Sequence, residues 1–113
     1  MTGAEAVLAV SLPAPVRGLY RESDGHYDRD GQWFVVWPVS RLIEENLAAW
    51  DRGLPRTLLA FGDDGTGNPF CVGLDDASDA VVRWNWMDAD VESHEGSMAE
   101  FRGKWLLGSG DTP

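Results

Sequence analysis

Two short apolar runs either side of a glycine-rich polar turn constrain this chain more than any other stretch: Leu58-Leu59-Ala60-Phe61, the turn from Gly62 to Gly67, then Asn68 and Pro69 leading into Phe70-Cys71-Val72-Gly73-Leu74. The pattern predicts a β-hairpin. Gly65 and Gly67 take positive φ at no steric cost, and Asp63, Asp64 and Asn68 have short side chains that bond back to nearby backbone amides. Beyond the turn, Phe70, Val72 and Leu74 fall on one face at period two, as a half-buried strand requires. The remaining elements are arranged around this hairpin.

Taken in order, Glu5 to Val10 is alanine-rich and predicts a short helix, which Leu12-Pro13-Ala14-Pro15 interrupts. A second helix starts at Pro15, with Val16, Leu19 and Tyr20 on a buried stripe and Asp24-Gly25 as its stop. His26 to Gly31 reads as a polar loop. Gln32 to Trp37 is aromatic and β-branched on both alternating faces, which predicts a strand covered on each side. Val39, Leu42, Ile43, Leu47 and Trp50 then repeat at helical spacing until Arg52-Gly53 and Pro55 close the segment. After the hairpin, Asp75 to Asp79 is an acidic turn, and Ala80 to Met87 is a strand with Val82, Trp84 and Trp86 on one face. Asp88 to Gly96 reads as a loop or a short edge strand. Ser97-Met98-Ala99-Glu100 is a capping box that opens a last helix carrying Met98, Phe101 and Trp105, with Gly108 as its stop and 109–113 as a frayed tail. Helices around hairpin-connected strands predict an α+β fold with a mainly antiparallel sheet, as a single domain over 1–113.

The 113 residues include 43% hydrophobic residues and six tryptophans, enough for one modest core. The net charge of −10 is unevenly spread, since Asp63 to Glu100 holds ten acidic residues against one basic residue, Arg83. Such a field repels nucleic acid and anionic lipid; it suits either solubility or a basic protein partner. Cys71 is the only cysteine, which forbids an internal disulfide and fits a reducing, cytoplasmic compartment. Ala6 to Val10 resembles a signal-peptide core only in apolarity, because no Lys or Arg precedes it and Glu5 sits beside it. No run approaches the roughly 20 apolar residues of a membrane span.

Catalytic and cofactor patterns are missing from the sequence. The Gly62–Gly67 loop lacks the Gly-Lys-Ser/Thr of a P-loop and leads into a strand, not a helix. Asp63, Asp64 and Asn68 offer hard oxygens for calcium without the spacing or the distal glutamate of an EF-hand. His26 and His94 belong to no zinc pattern, Cys71 lies within an apolar strand, and no serine sits in a G-x-S-x-G elbow. The carboxylates cluster in solvated turns, where nothing drives their protonation behaviour apart as acid–base catalysis requires. All six tryptophans fall on apolar stripes, yet six are many for a small core, and Trp84, Trp86 or Trp37 is a candidate interface anchor.

Leu12-Pro13 followed by Val16 and Leu19-Tyr20, then a strand ending in Trp37-Pro38, then a helix with Leu42 and Asn46, resembles the front half of the SUKH superfamily. The back half agrees: the stretch from Leu59 to Val72 is similar to that family's glycine-rich hairpin, and Met98 to Leu106 to its closing helix with an aromatic at Phe101. Two positions depart from the pattern. Asn68 stands where an acidic residue usually follows the last loop glycine, and Pro69 removes an amide from the ladder. The resemblance implies an α+β domain without enzymatic activity or cofactor. Bacterial members are similar to immunity proteins that neutralise polymorphic or contact-dependent toxins, and fungal relatives are regulators of cell-wall synthesis. Two roles follow as expectations: an immunity protein binding a cognate, basic, nuclease-like toxin, or an intracellular adaptor of the same fold. For the first, the partner surface is expected at Asp63, Asp64, Asp75, Asp76 and Asp79, with Trp84 and Trp86 as anchors.

Overall fold

A computed structural model describes residues 13–22, 24–28, 33–74 and 80–106. The expected N-terminal helix over Glu5–Val10, the Asp75–Asp79 turn and the tail lie outside the described residues. The elements are α1 (Ala14–Glu22), β1 (His26–Tyr27), β2 (Phe34–Val36), α2 (Val39–Arg52), β3 (Leu58–Asp63), β4 (Pro69–Gly73), β5 (Ala80–Asn85), β6 (Asp90–Ser97) and α3 (Met98–Trp105). The six strands form one antiparallel sheet in sequence order, β1 to β6, so the fold is α+β.

The hairpin supplies the middle of that sheet. β3 and β4 pair from Leu58↔Gly73 to Asp63↔Pro69, with Pro69 at the first strand position, where its missing amide does least harm. Being central, β4 is covered on both faces: Phe70, Cys71 and Val72 are all buried, in place of the one-sided burial its period predicts. Asp88 to Gly96 differs more. It contains the longest strand, β6, paired with β5 along its length despite its carboxylates. An edge strand needs only one ladder and tolerates charge, which also discourages edge-to-edge association. His26–Tyr27, within the expected polar loop, forms the opposite end of the sheet, where Tyr27 stacks on Phe34 at 4.4 Å.

Local chemistry sets the helix ends. In α3 the Ser97 hydroxyl accepts from the Glu100 amide while Glu100 accepts from the Ser97 amide, the capping box expected from sequence. α2 begins after Pro38, with its Val39 amide donating to Asp24 at 2.6 Å. It ends at Gly53, whose φ of 117° lets Leu54 reach back to the Ala49 carbonyl.

Two helices cover the apolar centre. Phe101 of α3 meets Phe61 and Phe70 edge-on, at centroid distances of 5.4 and 4.8 Å, and Trp105 meets Phe70 at 4.9 Å. α2 lies against β3, where β2 stops short. The two strands pair only at Val36↔Gly62; Trp37 then donates to the Phe61 carbonyl, and Pro38 turns the chain into α2. Ala60 therefore has no strand neighbour on that side. The fully buried Asn46 takes the place of one: its Oδ1 accepts from the Ala60 amide at 2.8 Å and its Nδ2 donates to the Ala60 carbonyl at 2.7 Å. One turn later the Trp50 indole donates to the Leu58 carbonyl at 2.9 Å. The spacing works because four helical residues rise about 6 Å and two strand residues about 7 Å. Gly62 completes the seam, since a Cβ there would lie 1.6 Å from the Val35 carbonyl oxygen.

Candidate functional site

The β3–β4 turn is built by its own aspartates. Asp64 Oδ1 accepts from the Thr66 amide (2.9 Å), the Thr66 hydroxyl (2.6 Å) and the Asn68 amide (3.3 Å). Its Oδ2 meets Arg83 of β5 at 3.2 Å, and the side chain is only 6% exposed. Asp63 Oδ1 accepts from the Gly65 amide at 2.8 Å and its Oδ2 from the Trp37 indole at 3.3 Å. Gly65 and Gly67 sit at φ of 90° and 97°, as the turn demands. The role expected for these residues as turn formers is what the geometry shows, and the negative charge of Asp64 is matched inside the protein.

The turn that follows β5 carries the next layer. Trp86 donates its indole N–H to the Gly67 carbonyl at 3.0 Å, and its backbone N–H approaches Asn68 Oδ1 at 3.4 Å, so its ring rests on the turn. On the ring lies the guanidinium of Arg52, 4.1 Å from the centroid. Trp84, expected as an anchor with Trp86, is 5% exposed and belongs to the core, and Trp37 is 4% exposed. The ring that reaches the surface is that of Trp86, followed by the fully open Met87 at 94% exposure and by exposed Asp88 and Asp90. Asp75, Asp76 and Asp79 lie outside the described residues.

Together these elements leave a groove of about 240 Å3 between the outer side of α2 and the turn, lined in part by Glu45, Ala48, Arg52, Trp37, Asp63 and Trp86. Of these lining residues, Asp63, Trp86 and Trp37 stand among the candidates read from the sequence, whereas Glu45, Ala48 and Arg52 do not. Their i, i+3, i+7 spacing is a recoverable signal, but on a charged helix face it looks like ordinary solvated surface.

Elsewhere, Glu95 and Glu22 tie elements of the fold together. Glu95 is buried on β6, where its desolvation is outweighed by donors from Ser93, Trp105 (3.0 Å) and Lys104 (3.3 Å), so its carboxyl is held below the usual range. Glu22 is likewise lowered by its paired hydrogen bonds with Arg102, which tie α1 to α3. Burial pushes the Cys71 thiol far up, which makes it a poor nucleophile at neutral pH. His94 is exposed, while His26 Nε2 lies 2.9 Å from the Leu19 carbonyl. Among the described residues, no three His, Cys, Asp or Glu side chains converge as a metal site, and no helix is long and apolar enough to cross a membrane. The arrangement offers shape, aromatic surface and fixed charge for binding.

A family model described as the SMI1 / KNR4 family (SUKH-1) matches residues 2–102. No curated protein matches the chain.

Proposed function

The chain belongs to the SMI1 / KNR4 family (SUKH-1), and on that premise we propose that it is an immunity protein that binds and neutralises a cognate bacterial toxin in the cytoplasm. The observation that carries this reading is the groove beside the glycine turn, where an indole held by Gly67 and Arg52 reaches the surface. A preformed aromatic edge with polar neighbours suits a protein interface, because its rigid ring loses little entropy on docking. The acidic residues fit a basic partner. Asp88 and Asp90 follow the exposed Met87, and Asp75, Asp76 and Asp79 extend the same acidic stretch of chain. Asp63 joins them on the groove wall, whereas Asp64 contributes by holding the turn. Trp86 takes the anchoring role, since Trp84 is packed in the core.

Co-expression with a toxin encoded beside the gene tests the reading. Growth should be rescued and the pair should co-purify, with an association rate that falls steeply as salt is raised. Failure of both rescue and association rejects the immunity role. Reproducible association with a housekeeping protein, with no toxin in the gene neighbourhood, supports the adaptor role instead.

A further inference from the structure

The groove carries opposite charges at its two ends, and that polarity limits what can fill it. Glu45 and Arg52 stand two turns apart on α2, about 10 Å along the helix axis. Asp63 faces the Glu45 end: it holds the Trp37 indole, and Trp37 in turn lies under Arg41, one turn before Glu45, at 5.5 Å. Arg52 closes the other end over Trp86. Glu45 already has a cation, Arg41, at 2.7 Å. Asp63 does not. Its two oxygens accept one neutral N–H each, from Gly65 and Trp37, and no cation among the described residues lies within ion-pair distance of it. A carboxylate has about four acceptor positions, so the described residues leave roughly two of them unused while the group itself is fixed in place.

We propose that this groove receives an arginine side chain of the protein partner, with Asp63 as its counter-ion and the uncovered rim of Trp86 beside its stem. The inference rests on the protein-binding reading above and adds the chemistry of the contact. Arginine fits better than lysine, because a planar guanidinium pairs with a carboxylate in a fork, which a lysine ammonium cannot do. Ala48 leaves room for the aliphatic stem, and the volume of about 240 Å3 suits one long side chain, not a whole peptide segment. Arg52 sets the direction of entry. It repels a second cation, so the occupant's charge goes to the Asp63 end and its backbone carbonyls toward Arg52. The overall charge of −10 draws such a group in from a distance.

The test is an NMR titration of the intact protein with N-acetyl-Gly-Arg-Gly-amide, set against the same peptide with citrulline, the neutral near-isostere. The indole N–H signals of Trp37 and Trp86 report on the two sides of the groove. Both should shift saturably with the arginine peptide, and its affinity should exceed that of the citrulline peptide by about fivefold or more. Asp63→Asn should remove that preference. Because this variant can disturb the turn, Ala48→Phe is the second: it fills the groove from an exposed helix position and should abolish the indole shifts while the rest of the spectrum keeps its folded pattern. Equal binding of the two peptides, or shifts confined to Met87–Ala89 in the β5–β6 turn, overturns the proposal. Toxin rescue that persists when the peptide fails to bind leaves the immunity role standing and removes the arginine contact. Arginine-specific binding without any toxin keeps the contact and removes the role.

Discussion

The two sides of α2 treat polar groups in opposite ways. Toward β3, Asn46 and Trp50 give every hydrogen-bonding atom named there a partner in the same chain: the Ala60 amide and carbonyl close on one side-chain amide, and the Leu58 carbonyl closes on an indole. Toward the turn, Asp63 and Arg52 are held in place by neutral contacts, an N–H pair for one and an aromatic face for the other, with neither charge matched by an opposite one at ion-pair distance among the described residues. A closed polar network buried in low dielectric specifies one arrangement of the core. A fixed but unmatched charge at a surface stabilises the fold little and is available to a partner. The same helix thus completes the sheet with one face and carries the groove proposed for binding on another. Substitutions in the seam should act on stability, and those in the groove on binding.

The seam's tightest point is Gly62. With a Cβ 1.6 Å from the Val35 carbonyl oxygen, Gly62→Ala forces β2 away from β3 and should cost about 4 kcal/mol or more, read as a large fall in the denaturation midpoint. A variant that unfolds at the wild-type midpoint would mean that β2 can shift freely, and the seam would lose its claim to rigidity. Asn46→Ala comes next. It leaves the Ala60 amide and carbonyl buried without partners, and at 1–3 kcal/mol per orphaned group the expected loss is about 3 kcal/mol. Asn46→Asp should cost at least as much, because its ionised carboxylate would be buried without a cation and would set an oxygen against the Leu42 and Ala60 carbonyls.

These two positions also show what the sequence does and does not reveal. The capping box at Ser97–Glu100 is legible because all its partners lie within four residues. The hairpin is legible for the same reason, since Gly65, Gly67 and the Asp63 and Asp64 side chains answer to local geometry. Asn46 is not, because its partner is fourteen residues away. Its polarity places it outside the apolar stripe of α2, whereas Leu47, which helical spacing puts on that stripe, is 46% exposed. The burial of Asn46 is set by where β2 ends, a tertiary fact. β6 escapes local reading for a related reason. Its carboxylates and glycine suggest a loop, but its pairing with β5 fixes it as a strand, and the Glu95 side chain turns inward to donors on α3. The groove is harder still, for Glu45, Ala48 and Arg52 gain meaning only when the turn and Trp86 stand opposite them.

Glu95 extends the contrast to pH. Its carboxyl is held below the ordinary range in the folded protein despite desolvation, because Ser93, Trp105 and Lys104 favour the charged form. A lowered folded value contributes stability that is fully present above the unfolded value, near 4.3, and is lost as pH falls through the lower folded one. Glu22, lowered by Arg102, acts in the same direction. Stability should therefore drop on acidification below about pH 4.5. Glu95→Gln should flatten part of that acid limb while costing about 1.5 kcal/mol at neutral pH through its weakened hydrogen bonds. An unchanged acid limb in this variant would show that Glu95 stays ionised no more readily than in the unfolded chain.

The smallest stability effect is expected at Arg52, and it is the sharpest check on the two-sided helix. Its guanidinium lies over Trp86 at 4.1 Å on an exposed face, an arrangement worth about 0.5–1 kcal/mol, so Arg52→Ala should move the denaturation midpoint barely at all. Alanine is also the better helix former, which offsets part of the loss near the end of α2. Binding should respond differently. Removing Arg52 frees the Trp86 ring from its lid and deletes the positive end of the groove, so a docked partner loses the group that orients its carbonyls. The expected signature is a dissociation rate raised several-fold with a nearly unchanged unfolding midpoint, measured by surface binding kinetics beside thermal denaturation. If Arg52→Ala destabilised the fold as much as Asn46→Ala, the outer face of α2 would be a second structural seam, and the division of labour between its sides would not hold.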